Sequence, residues 1–96
     1  MLQHVVFMKF KPTATETQIA DMEKGLAALP NAIPEIRGFE FGRDIIRSER
    51  SYDFALVSSF ADLEAMKKYQ VHPDHLLVLD KVRGVCESIL AVDFEL

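Results

Sequence analysis

The spacing of hydrophobic residues changes its period several times along the chain, and each change predicts an element of secondary structure. Four stretches rich in Val, Ile, Leu and Phe have the length and composition of β-strands, at residues 2–11, 36–43, 52–60 and 88–96. Between the first two strands an apolar stripe recurs at helical spacing, at Ile19, Met22, Leu26 and Leu29. The predicted order is strand, helix, strand, strand, broken helix and strand.

Capping residues and prolines predict where the helices begin and end. The segment from Thr15 to Gln18 matches the capping-box pattern, so the first helix begins there, and Pro30 is expected to end it. Asp62 is a candidate N-cap for the second helix, whose inner stripe consists of Leu63, Met66 and Tyr69. Because Pro73 disfavours a helical residue before it, this helix should break there and restart. The restarted piece is expected to bury Leu76, Leu79, Val82 and Cys86.

This order of elements is the split β-α-β-β-α-β plan of ferredoxin-like folds, an α+β class with helices on one face of an antiparallel sheet. We expect residues 1–96 to form a single domain of this type. In a monomer the other face lies in water and is normally polar. Here both faces are apolar, since Val5 and Phe7 alternate with Val6 and Met8 in the first strand. The sequence therefore predicts a homodimer in which the uncovered faces of two sheets pack together.

Composition narrows the range of partners and compartments. The net charge is −4 and the Lys and Arg residues are scattered, whereas nucleic-acid binding needs a concentrated basic surface. No segment approaches the roughly 18–20 apolar residues that span a bilayer, and the first lysines follow the N-terminal apolar run, unlike those of a signal peptide. The lone Cys86 favours a reducing compartment. We expect a cytoplasmic protein with no nucleic-acid or membrane partner.

Four segments of the chain resemble one known family. They are HVVFMKF at 4–10, the FGRD turn at 41–44, YDFALVSSF at 52–60 and the pattern Y-x-x-H-P-x-H at 69–75. Together they are similar to the stress-responsive A/B barrel domain (Dabb) family, over essentially the whole chain. The resemblance implies a dimeric α+β barrel, a shape shared with cofactor-free monooxygenases and lactone isomerases. Most members of the family have no assigned reaction.

The resemblance also implies candidate site residues. One plant member of the family is a cyclase that closes a ring by an aldol reaction without a cofactor. Its working Tyr and His fall on Tyr69 and His75, and a further pocket His falls on His4. Its other pocket His, on the third strand, corresponds to Phe54, which departs from that pattern.

Tyr69 and His75 are the candidate catalytic pair. His75 is expected in the first turn of a helix, where the helix dipole disfavours the protonated ring and leaves a neutral base near pH 7. Tyr69 can polarise a carbonyl group while a proton leaves the adjacent carbon. The alternative is that the two side chains only complete the packing of helix against sheet through a hydrogen bond.

The expected ligand pocket lies between the sheet and the helices. Its walls are predicted to be apolar, as in most small-molecule sites, and to consist of Val6, Met8, Phe54, Leu56 and Met66. His4 has the same parity as these strand residues and is expected to be a further polar group of the pocket; the alternative is a hydrogen-bonded core histidine.

Metal and nucleotide chemistry receive less support. A metal site made of His72, Asp74 and His75 would require three residues of one tight turn to converge on one ion, so no metal is expected. No phosphate-binding loop or dinucleotide fingerprint is present, so no cofactor is expected.

The predicted function is binding of a small apolar carbonyl ligand, with cofactor-free proton transfer of the cyclase, isomerase or lyase type if the protein is an enzyme. A non-catalytic structural protein and a cofactor-free monooxygenase stay open as alternatives.

Overall fold

A computed structural model describes all 96 residues of the chain. Its elements are β1 (Leu2–Phe10), α1 (Glu16–Ala32), β2 (Gly38–Arg43), β3 (Phe54–Phe60), α2 (Leu63–Val71), α3 (Pro73–Val85) and β4 (Cys86–Glu95). The four strands form one sheet in the order β2-β3-β1-β4, and every neighbouring pair is antiparallel. The predicted ferredoxin-like plan is confirmed.

Helix α1 begins where the capping box predicts and ends later than predicted. The Thr15 hydroxyl accepts a hydrogen bond from the Gln18 N–H at 3.2 Å, and the Gln18 side chain accepts one from the Thr15 N–H at 2.9 Å. The expectation that Pro30 ends the helix is wrong, because Pro30 lies inside its last turn. Proline removes only one N–H donor there, and the C-cap residue Ile33 still donates its N–H to the Leu29 carbonyl at 2.9 Å.

The break between α2 and α3 occurs at the predicted place and is held by side-chain caps. Asp62 caps α2 by accepting from the Ala65 N–H at 2.8 Å. His72 has extended backbone angles (φ −64°, ψ 135°) and caps α3, with its Nδ1 accepting from the Asp74 N–H at 3.1 Å. Pro73 then occupies the first position of α3. None of the three helices is long and apolar enough to cross a membrane.

The buried stripe of α3 differs from the prediction. It consists of Val78, Val82 and Val85, whereas Leu76 is 47% exposed and Leu79 is only partly buried. The reason is the contact of α3 with α1: a Cβ added to Gly25 of α1 would lie 3.2 Å from Val78 Cγ2. Val78 thus packs in the core against α1, and Leu76 is directed toward solvent.

The helices cover one face of the sheet and leave the other face open. The covered face supplies the core residues of the central strands, Leu2, Val6, Met8, Phe54, Leu56 and Phe60. The open face is apolar, as the alternation predicts. Five large side chains on it are between 43% and 58% exposed: Phe7, Val57, Leu90, Val92 and Phe94.

Candidate functional site

A cleft of about 280 Å³ lies between the covered face of β1 and β4 and the helices α2 and α3. Ten of its 13 lining residues are hydrophobic, and the other three are His4, Gln70 and His75. The cleft lies beside the edge strand β4, whose residues Ile89 and Ala91 form part of its wall. An apolar cleft with a few polar groups is typical of a site for a small organic molecule.

Tyr69 and His75 lie side by side in this cleft because the helix breaks between them. Tyr69 is in the last turn of α2 and His75 is in the first turn of α3. Their ring centroids are 4.3 Å apart, with the rings tilted by 47°. The Tyr69 ring also contacts Phe60, at a centroid distance of 4.9 Å, so the core fixes its position. The kink at Pro73 therefore brings together two residues that are six positions apart.

The hydrogen bond of His75 determines which ring nitrogen is free. Nδ1 of His75 lies 3.0 Å from the backbone carbonyl of Gln70. A carbonyl oxygen only accepts hydrogen bonds, so Nδ1 carries the proton and, in the neutral ring, Nε2 has a free lone pair. Burial lowers the pKa of His75 below its usual value, which the bond to Gln70 opposes and the nearby His4 and His72 reinforce. His75 is therefore a neutral imidazole at pH 7.

The hydroxyl group of Tyr69 is free to meet a ligand. Tyr69 is only 1% exposed, yet its hydroxyl makes no hydrogen bond to the protein. Every fully buried polar side-chain atom has a hydrogen-bond partner, so the Tyr69 hydroxyl cannot be fully buried. It therefore reaches the surface of the cleft. Burial raises the pKa of Tyr69 to about 12, so the phenol keeps its proton at neutral pH and acts as a hydrogen-bond donor.

A row of polar residues crosses the sheet at the other side of the cleft. His4 of β1 lies opposite Ser58 of β3 and opposite Asp93 of β4 in the sheet register. The buried Ser58 hydroxyl donates to the His4 backbone carbonyl at 3.2 Å, and the His4 ring nitrogen Nδ1 is hydrogen-bonded to the Asp93 carboxylate. His4 is therefore held at both its backbone and its ring.

The residues expected to form the pocket divide into two groups. Val6, Met8 and Leu56 line the cleft together with His4, Tyr69 and His75. Phe54 and Met66 do not line it: both lie in the core, where Phe54 stacks on Phe41 at a centroid distance of 5.6 Å. Phe54 is opposite Met8 but lies on β3, and its ring is stacked on Phe41 of β2, on the side of the sheet away from β4; sharing a face with His4 therefore does not place it in the cleft.

Sequence reasoning missed Gln70, Asp93 and the cleft wall from β4. Asp93 had one local signal, because it is the only charged residue in the apolar run SILAVDF. Gln70 contributes through its backbone carbonyl, which no side-chain pattern reveals. The structure brings together no group of three or more His, Cys, Asp or Glu side chains that could hold a metal ion. Burial raises the pKa of the Cys86 thiol to about 11, which keeps it protonated.

Comparison with known proteins identifies the family. The family model described as "Stress responsive A/B Barrel Domain" (Dabb) matches residues 2–96. The chain belongs to the Dabb family. Olivetolic acid cyclase of Cannabis sativa is 28% identical over 95 residues, which cover 97% of this chain and 94% of that protein. A stress-response A/B barrel domain-containing protein of Arabidopsis thaliana is 27% identical over 96 residues, covering 98% and 88%.

A solved structure supports the same assignment. A dimeric ferredoxin-like protein of unknown function from Thermobifida fusca is 32% identical and superposes with a TM-score of 0.91, covering 99% of this chain and 90% of that one. The fold predicted from the hydrophobic pattern and the predicted family are therefore both confirmed.

Proposed function

We propose that this Dabb protein binds a small, mostly apolar carbonyl compound in the cleft and transfers a proton next to the carbonyl group without a cofactor. His75 is the base and Tyr69 is the hydrogen-bond donor to the carbonyl oxygen. The observation that carries the proposal is the neutral His75 ring, with its Nδ1 proton held by Gln70 and its Nε2 free, beside the unpartnered Tyr69 hydroxyl.

The chemistry follows from the two groups. Nε2 of His75 removes a proton from the carbon beside the carbonyl, and the C–H electron pair moves into the enolate. The Tyr69 phenol stabilises the negative charge that develops on the oxygen, in a cleft with mostly apolar walls where such a bond is stronger than in water. The enolate then takes a proton at another atom or attacks a second carbonyl within the same molecule. These outcomes are isomerisation and aldol cyclisation, and the second is in keeping with the similarity to olivetolic acid cyclase.

We also propose that the chain works as a homodimer through the open face of its sheet. The five half-exposed apolar side chains on that face are expected to be buried by another surface, and the same face of a second copy is an apolar surface that can bury them. The similar Thermobifida fusca protein is described as dimeric. The lone cysteine supports a cytoplasmic location as part of the same proposal.

The test uses an enolisable probe, heptane-2,4-dione, in D2O. Proton NMR follows exchange of the hydrogens between its two carbonyl groups, above the rate in buffer. We expect the wild-type protein to accelerate exchange and His75→Gln to remove at least about 90% of the acceleration, since a positioned base contributes on the order of 10²–10⁴-fold.

The matched control is His72→Asn, three residues away, because asparagine is also a good helix N-cap and should keep α3 intact. His72→Asn should retain wild-type exchange. No acceleration by the wild-type protein, or equal acceleration by His75→Gln, would contradict the proposal and favour a non-catalytic role.

A further inference from the structure

We propose that Asp93 is a positioning residue of the cleft, which orients the ring of His4 from the neighbouring strand and makes His4 the second acid–base group of the site. The inference rests on the proposed function, in which His75 is the first such group.

The position of Asp93 is set by the sheet register. Asp93 of β4 and His4 of β1 are directly opposite each other and project to the same face of the sheet, where His4 lines the cleft and Asp93 lies beside it. The His4 side chain is 11% exposed and the Asp93 side chain is 39% exposed, so the ring is mostly buried while the carboxylate keeps contact with water. The mostly buried His4 ring is the group that needs a hydrogen-bond partner, and the Asp93 carboxylate supplies one while it stays accessible to water.

The hydrogen bond fixes the state of the His4 ring. A carboxylate only accepts hydrogen bonds, so His4 Nδ1 carries a proton and the other nitrogen, Nε2, has no protein partner. When Nε2 also takes up a proton, the Asp93 carboxylate compensates the positive charge of the ring. Carboxylate–imidazole pairs in other enzymes hold the ring in the same two ways, by tautomer and by charge.

The two histidines of the cleft therefore have different backing groups. His75 is bonded to a neutral backbone carbonyl, and His4 is bonded to a carboxylate. A pair of titratable groups in contrasting environments is the usual arrangement for an acid and a base in one site. His75 suits removal of a proton from carbon, and His4 suits delivery of one.

Every proton and electron pair of the proposed step is accounted for. His75 Nε2 takes the proton from carbon, the C–H electron pair forms the enolate, and His4 Nε2 gives its proton to the enolate oxygen, which the Tyr69 hydroxyl also contacts. Water then returns one proton from His75 to His4. The step needs neither an oxidant nor a reductant.

The kinetic test compares Asp93→Asn, His4→Gln and the double variant in the heptane-2,4-dione exchange assay. We expect Asp93→Asn to slow exchange on the order of 10–100-fold, as for other carboxylates that support a functional imidazole, with little change in the concentration of probe that gives half the maximal rate. The double variant should be no slower than His4→Gln alone, because both changes disable one group. Asp80→Asn, an exposed position on α3, is the matched control and should leave the rate unchanged.

A second measurement does not depend on turnover. In a sample labelled with ¹⁵N at histidine, at a pH high enough for the ring to be neutral, wild-type His4 should carry its proton on Nδ1, and Asp93→Ala should give a mixture of the two neutral tautomers, while Asp80→Ala should not. A less than threefold loss of rate in Asp93→Asn, alongside a large loss in His4→Gln, would overturn the proposal. If the wild-type protein exchanges no probe, the proposed function fails; an unchanged His4 spectrum in Asp93→Ala then overturns the positioning role as well, and a tautomer mixture upholds it.

Discussion

The proposed dimer can be tested by placing one charge at the centre of the open sheet face. Val57 lies in β3 between Val5 of β1 and Glu40 of β2, and it is 44% exposed in the single chain. In an isolated chain, Val57→Lys alters a half-exposed position, and we expect it to lower the free energy of unfolding by less than about 1 kcal/mol. In a dimer that packs these faces together, the same change buries two ammonium groups, and an ion pair of each with the neighbouring Glu40 would be buried as well, so both charges lose their hydration.

The expected effect on assembly follows from the exposed area. The five large apolar side chains of the open face together expose roughly 400 Å² per chain, taking about 150–200 Å² for each fully exposed residue. Burying this area on both chains contributes about 20 kcal/mol at 25 cal/mol per Å², against an association cost of about 4–15 kcal/mol. Two buried lysines at about 3 kcal/mol or more each should weaken the dimer by roughly 10⁴-fold.

Light scattering coupled to size exclusion, at micromolar concentration, measures the outcome. We expect a wild-type dimer and a folded Val57→Lys monomer. Leu77→Lys is the matched control, because Leu77 is 66% exposed on α3, away from the open face, and the variant should stay dimeric. A dimeric Val57→Lys protein would show that the sheet face is not the interface, and a monomeric wild-type protein would refute the dimer itself.

Three further predictions concern single side chains. Tyr69→Phe should change the free energy of unfolding, measured by urea unfolding, by less than about 0.5 kcal/mol, because the hydroxyl makes no hydrogen bond to the protein. The same variant should slow probe exchange, measured by NMR, at least about tenfold. A large loss of stability would show that the hydroxyl is not free. The free energy of unfolding should fall as the pH drops below about 6.5, because the lowered pKa of His75 means that the unfolded chain takes up this proton first; His75→Gln should flatten that slope, and an identical slope would argue against a buried neutral ring. Gly38→Ala should destabilise the fold by about 1 kcal/mol, since its Cβ would lie 2.5 Å from Ser59 Oγ, and adding Ser59→Ala should restore most of the loss; a double variant as unstable as Gly38→Ala would point to another cause.

Local sequence signals were sufficient for the fold. Strand periodicity, the capping box at Thr15 and the restart at Pro73 each depend on residues close together in the chain, and all three appear where predicted. Pro30 misled the prediction because a proline in the last turn removes only one hydrogen bond. The phase of α3 could not be read from its own sequence, since the side chain that packs against Gly25 of α1 is Val78, and Leu76 is exposed.

The candidate site was predictable only in part, for a different physical reason. Tyr69 and His75 are close in sequence, so the break between them indicated their meeting. Asp93 reaches His4 through the register of two strands at opposite ends of the chain, which the alternation of side chains does not fix. The alternation of side chains correctly placed Phe54 on the covered face, but it does not show that the ring packs sideways against Phe41 of β2, away from the cleft.

The proposed function requires that His75 presents an unprotonated Nε2 to a ligand in the cleft. It is tested most directly by ¹⁵N NMR of the three histidine side chains at neutral pH, before and after addition of heptane-2,4-dione. We expect a neutral His75 with its proton on Nδ1, and we expect the probe to shift its Nε2 signal while leaving the signals of His72 unchanged. A charged His75 ring, a neutral ring with its proton on Nε2, or a His75 signal that does not shift when the probe is added would refute the assignment of His75 as the base.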